Sequence, residues 1–99
     1  MSIKLVSINI ERDKHLNRVI PFIQGERPDI LCLQELNEKD VPLFVETMRS
    51  KYHRFTPMLR HTKETGRLAV GVGIFSRFPV AVFQEHYYVG RREEIPEID

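Results

Sequence analysis

One cysteine in 99 residues, Cys32, excludes an internal disulfide and a cysteine-rich zinc site. Set within Ile30-Leu-Cys-Leu33, it reads as a small core residue rather than a nucleophile. No apolar run approaches the roughly 18 residues of a membrane span, and Met1 to Ile10 lacks the charged-then-apolar layout of a signal peptide, so the expected location is cytoplasmic. Neither sign of charge dominates: 15 Lys and Arg against 14 Asp and Glu leave a formal +1, and no global field points to a polyanionic partner. Repeats, low-complexity tracts and linkers are missing, and the length fits one domain or part of one. With 41 % hydrophobic and 29 % charged residues, wholesale disorder is not indicated. The four histidines, His15, His53, His61 and His86, show no metal-ligand spacing and no identifiable Ser or Cys partner. Gly71-Val-Gly73 lacks the third glycine and the strand-to-helix setting of a dinucleotide loop, so both glycines are expected to serve packing inside a strand.

What is present is an alternation of strands and helices. Ile3 to Ile10 predicts a first strand with apolar residues on both faces, Ser7 and Asn9 sharing one of them. Leu16, Val19, Ile20 and Ile23 recur at helical spacing; Asp13 is the expected N-cap, Gly25 the end, and Pro21 a kink or shortening. Asp29 to Gln34 predicts a second strand, completing a parallel, right-handed β-α-β unit in which Asn9 and Glu35 emerge at the same sheet edge. A second helix is expected to be capped by Asp40, with Pro42 in its first turn and Val41, Phe44, Val45 and Met48 on one face. Phe55 to Leu59, interrupted by Pro57, suggests an edge strand, and Thr65-Gly66 a turn. Leu68 to Phe75 alternates branched and small residues, and Ser76 to Pro79 is expected to turn the chain into an antiparallel Val80 to Val89 strand; Gly90 to Asp99 reads as loop or frayed strand. Two crossovers in the same direction put both helices on one sheet face, leaving the other to be covered by a further layer that these residues do not supply.

Glu35 carries the chemical argument. A carboxylate following an apolar strand emerges where ligands bind in α/β sheets, and with Asn9 beside it, either coordinating the metal or orienting Glu35, it makes a sensible hard-cation and catalytic site, since magnesium is held by one or two carboxylates plus water and phosphate oxygens. The bland alternative is that Glu35 starts a loop and Asn9 bonds backbone at a strand end. Arg54, Arg60, His61, Lys63 and Arg67 cluster around a loop; they can meet phosphates, with Arg60, His61 and Lys63 as the substrate candidates, or form a solvated surface partly compensated by Glu64.

Three segments, Leu5-Val-Ser-Ile-Asn9-Ile10, Pro28-Asp-Ile-Leu-Cys-Leu-Gln-Glu35 and Gly71-Val-Gly-Ile-Phe-Ser-Arg-Phe-Pro79, together resemble the start of the endonuclease/exonuclease/phosphatase superfamily, the DNase I-like metal-dependent phosphoesterases. The resemblance implies an α/β fold: the N-terminal part of a four-layer α/β sandwich, a mixed sheet with helices on one face, with residues 1–99 forming a partial domain whose C-terminal half is absent. It further implies that Glu35 is the magnesium ligand, with manganese able to substitute, that Asn9 lies beside the metal and the scissile phosphate, and that the substrate is a phosphate ester, nucleic acid among them. The later family patterns that supply a water-activating aspartate and a catalytic histidine do not occur here, so the expectation is a hydrolase fragment inactive alone, with its missing half or another chain covering the open sheet face. The first strand also lacks the Asn-x-Asn-Gly pattern of apurinic endonuclease-like members. A non-catalytic interaction module and a truncated gene product are the competing readings.

Overall fold

The computed structural model describes residues 2–61, 68–80 and 97–98, and no side chain at 61, 68, 97 or 98. The apolar stretches around Val6 and Leu31 form neighbouring parallel strands, β1 (Leu5–Asn9) and β2 (Ile30–Asn37), in the register Leu5 to Ile30 through Asn9 to Gln34. Helix α1 (Leu16–Glu26) connects them, and α2 (Val41–Met48) leads from β2 toward β3 (Tyr52–His61). β4 (Leu68–Ser76) then inserts antiparallel between β2 and β3, and the two-residue β5 (Glu97–Ile98) runs parallel to the end of β3. The resulting sheet has the order β1-β2-β4-β3-β5.

Both helices pack on one face. Val19 and Ile23 of α1 and Phe44 and Met48 of α2 close over Leu31, Leu33 and Leu36 of β2 and Phe75 of β4. Phe44 and Phe75 meet at a centroid distance of 6.0 Å and an interplanar angle of 45°, the tilted arrangement that aromatic quadrupoles favour. On the opposite face, paired positions place Asn9 beside Gln34, Cys32 beside Ile74 and Thr56 beside Val72. Ile30, Cys32, Val72 and Ile74 remain half-buried there, and neither helix reaches them. Among the described residues no helix covers this face, in line with the crossover argument.

Several local expectations are corrected. Asp13 does not cap α1: the chain turns through residues 11–15, the helix starts at Leu16, and the Asp13 carboxylate is held instead by Lys39 Nζ at 3.1 Å. Gly25 does not end that helix, which runs through Pro21 to Glu26; Arg27 takes the left-handed position that follows, at φ 52°. Asp40 makes no capping bond to α2, because a 3-10 turn over Glu38–Asp40 gives it helical dihedrals that aim its side chain elsewhere. Pro42 does occupy the first turn. Pro57 pairs with Gly71 at the edge of an irregularity of β3, which passes over Met58 before Leu59 pairs with Val70, a setting in which proline is tolerated. Thr65-Gly66 and the proposed strand from Val80 to Val89 lie outside the described residues, apart from Val80 itself, as does most of the tail.

The two strand glycines have distinct jobs. A Cβ on Gly71 would collide with the backbone carbonyl oxygen of Thr56 and come within 2.8 Å of Pro57 Cα, so its absence lets β3 and β4 approach. On Gly73 it would meet Leu36 Cδ2 and come within 2.9 Å of the Phe75 ring.

Candidate functional site

Glu35 does not end its strand. β2 continues to Asn37, and between Leu33 and Leu36 the strand carries one residue more than β4, which pairs Leu33 with Gly73 and Leu36 with Gly71. The extra residue makes a β-bulge, and Glu35 sits in it at φ 54°, a left-handed conformation that costs a non-glycine residue roughly 1–2 kcal/mol. The carboxylate is solvent-exposed, and no hydrogen bond or ion pair engages it among the described residues.

The loop after β1 grips this bulge from the side. Ile10 N–H donates to Gln34 O at 3.1 Å and Arg12 N–H donates to Glu35 O at 2.8 Å, so the backbone on either side of the Glu35 side chain is fixed. Asn9 shapes the loop: its Oδ1 accepts from Glu11 N–H at 3.1 Å, an Asx turn. Glu11 and Arg12 follow with φ of 51° and 63°. Three non-glycine residues in the left-handed region, Glu11, Arg12 and Glu35, thus lie in one joined stretch of loop and bulge, a concentration of backbone strain that makes it the candidate site. Gln34, paired with Asn9, is tethered through Nε2 to Ser7 Oγ at 2.9 Å and Cys32 Sγ at 3.3 Å.

Around the rim, Lys39 binds Asp13 and joins the loop after β1 to the turn after β2. That hydrogen bond is the main reason the Asp13 carboxyl lies below its ordinary range, and Asp13 in turn raises the Lys39 ammonium. Asp40 moves the opposite way: burial raises its carboxyl, with Lys39 opposing, and its Oδ2 is shut from solvent without a partner among the described residues. His15 Nε2 lies 3.4 Å from Glu11 Oε1, a contact that becomes an ion pair when the ring is protonated.

Of the residues singled out from sequence, Asn9 and Glu35 are brought to the same end of β1 and β2, one register position apart. Arg60 lies at the corresponding end of β3, with β4 intervening, and pairs with Ala69 and Glu97. His61 is the last residue of β3, paired with Leu68, and Lys63 lies outside the described residues. What the sequence reading missed is the backbone clamp from Arg12 and the Gln34 tether. The one available signal was a parity break: Leu31, Leu33 and Leu36 are all core-facing, which a regular strand of period two does not permit.

Among the described residues no group of three or more His, Cys, Asp or Glu converges as a metal cage. The donor set still suits magnesium, which retains several waters and takes one or two carboxylates together with substrate phosphate oxygens. It does not suit zinc, which requires three or four protein ligands.

The profile of the Endonuclease/Exonuclease/phosphatase family matches residues 6–98. Among solved structures, an endonuclease/exonuclease/phosphatase family protein from Leptotrichia buccalis C-1013-b superposes with a TM-score of 0.59 at 15% identity, covering 82% of this chain and 40% of that one. The chain therefore spans less than half the length of that relative, and the likeness establishes the partial DNase I-like fold. No curated protein sequence matches at a significant level.

Proposed function

Because the chain belongs to the endonuclease/exonuclease/phosphatase family, we propose that it carries the magnesium-holding part of a phosphoester hydrolase site, with Glu35 as the metal ligand and Asn9 as its neighbour. The single observation that carries this reading is the bulge: an unpaired, exposed carboxylate held at φ 54° by backbone bonds from a loop that Asn9 folds. Magnesium bound there would neutralise charge on a phosphoryl group, with manganese able to replace it.

The chain's own residues set the geometry. Arg12 N–H and Ile10 N–H fix the bulge, Gln34 holds it to β1, and the Asn9 carboxamide, its oxygen committed to Glu11, keeps its Nδ2 donor for a phosphate oxygen. Arg60 and His61, at the end of β3, are proposed to contact substrate together with Lys63, which follows them in sequence; β3 lies two strands from β2, roughly 10 Å at the usual strand spacing. A group that activates water is not identified, so residues 1–99 alone are proposed to bind metal and phosphate with little turnover. Nucleic acid is one substrate class of this kind.

Thermal melts with and without magnesium test the reading. Wild type should be stabilised by the ion and Glu35→Gln should not; an equal magnesium response in both removes Glu35 as the ligand. Robust magnesium-dependent hydrolysis of a generic phosphodiester by this chain would overturn the claim of low turnover. The open face, with Ile30, Cys32, Val72 and Ile74 half-exposed, supports a second reading as an interaction module. Concentration-dependent association without any magnesium-linked shift favours it.

A further inference from the structure

Arg27, Arg49 and Arg77, distant in sequence, converge on a groove of about 540 Å³ between the C-terminal ends of α1 and α2, with Ile20 and Leu43 in its apolar wall. Five non-glycine residues among those described have left-handed φ: Glu35 itself, Glu11 and Arg12 in the loop beside it, and Arg27 and Arg49. The last two each follow a helix end, at the position glycine fills at least steric cost. Their guanidinium groups are not needed to close the helices. Arg27 N–H already donates to Ile23 O at 2.8 Å, and Ser50 N–H to Val45 O at 3.1 Å. Arg77 Nε donates to Met48 O at 3.3 Å, which orients its fork and leaves its terminal nitrogens available.

No described carboxylate pairs with any of the three, and Glu46 is the one acid in the lining. Three positive charges against Glu46 and two helix C-termini, each worth about −0.5 of a charge, leave the groove net positive by roughly one. Three planar forks match a tetrahedral dianion better than a carboxylate, which offers two oxygens and one charge. The apolar wall has room for an organic body beside it.

We propose that this groove is a second ligand site, binding a small phosphomonoester with its phosphoryl group on Arg27, Arg49 and Arg77 and its organic part against Ile20 and Leu43. It is separate from the Glu35 site. Arg27 and Arg77 flank the Ile30–Ser76 pairing at the start of β2, five residues and roughly 17 Å of strand from Glu35.

The test is titration of the chain with phenyl phosphate in EDTA at constant ionic strength, followed by melting temperature and amide NMR shifts, with inorganic phosphate and phenol as controls. Phenyl phosphate should raise the melting temperature and move the resonances around Arg27, Arg49 and Arg77, binding more tightly than either control. Arg27→Gly and Arg49→Gly should each weaken it about tenfold or more, as expected for loss of a charged hydrogen bond. Glu35→Gln should leave it unchanged. Since glycine is at ease in this backbone conformation, both variants should melt no lower than wild type without ligand. The proposal is overturned by an unchanged response in both glycine variants, by shifts mapping to Glu35, by inorganic phosphate binding as tightly as phenyl phosphate, or by ligand-free melting temperatures that fall.

Discussion

Replacing Glu35 by glycine should separate what the bulge costs from what its side chain does. At φ 54° the residue carries a steric penalty of about 1–2 kcal/mol that glycine does not. Against this, glycine adds roughly 0.4–1 kcal/mol of unfolded-chain entropy. The exposed carboxylate has no partner among the described residues whose loss would add a third contribution. The net is a gain of about 0.5 kcal/mol, or roughly 2–4 °C in melting temperature for a domain of this size. Urea and thermal melts in EDTA should therefore rank Glu35→Gly at or above wild type, with Glu35→Gln close to wild type because it keeps both shape and strain. In magnesium the order reverses. At ten times the dissociation constant the ion stabilises its ligand-competent form by about 1.4 kcal/mol, and neither variant should gain this. A Glu35→Gly protein that loses more than about 1 kcal/mol in EDTA, outside the range of the strain and entropy contributions combined, would refute the reasoning.

The other predictions concern the supports of the site and the sheet. Gly71→Ala should destabilise by about 2–3 kcal/mol, since the new methyl meets the Thr56 carbonyl and Pro57 backbone, whereas Gly73→Ala should cost nearer 1 kcal/mol because Leu36 Cδ2 can move; equilibrium denaturation gives the order. Asn9→Ala should cost about 1 kcal/mol by losing the Glu11 turn bond, while Asn9→Asp keeps the acceptor, adds a second carboxylate and should tighten magnesium binding in a calorimetric titration. Burial raises the Asp40 carboxyl above the ordinary aspartate value of 3.8, so the folded state holds its proton longer than the unfolded one. That contribution to stability is complete below the unfolded value and is lost as pH rises through the folded one. Asp40→Asn should accordingly melt higher than wild type at pH 7, with the advantage vanishing below about pH 4; an advantage independent of pH would place its origin elsewhere.

Element types were legible because burial imposes periodicity. Leu16, Val19, Ile20 and Ile23 on α1, and Phe44 with Met48 on α2, reach the core they were expected to reach, and the parallel pairing of β1 with β2 follows from an intervening helix. The helix starts were less legible because capping is a competition. Asp13 is bound by Lys39 instead, and Asp40 was drawn into a 3-10 turn whose helical dihedrals take its carboxylate away from the cap position. Apart from the parity break of Leu31, Leu33 and Leu36 around Glu35, the left-handed positions carried no sequence mark: Glu11, Arg12, Arg27, Glu35 and Arg49 stand where glycine or asparagine would have announced them. Asn9 and Glu35 were legible as a pair because the β-α-β register dictates their proximity, but the means of holding them was not, since it consists of backbone bonds.

The bulge explains how a strand built for burial can present a carboxylate. With Leu31 and Leu33 facing the helices, strict alternation would turn position 35 to the same side, into the cluster of Phe44, Met48 and Phe75. An ionised glutamate there would be buried without a partner, at a cost of several kcal/mol. One extra residue shifts the phase, Leu36 takes the core position opposite Gly71, and Glu35 is released to solvent. The strain at φ 54° is small by comparison, and Gly73 leaves the space into which Leu36 Cδ2 settles. A regular strand ending in glutamate would expose the same group at a mobile terminus. A strand that continues to Asn37 exposes it between two paired segments, with Arg12 and Ile10 fixing the backbone on either side of its side chain. A fixed backbone beneath a lone carboxylate is of little use to a surface loop; under the proposed role it would serve a ligand whose metal takes most of its coordination from water and phosphate.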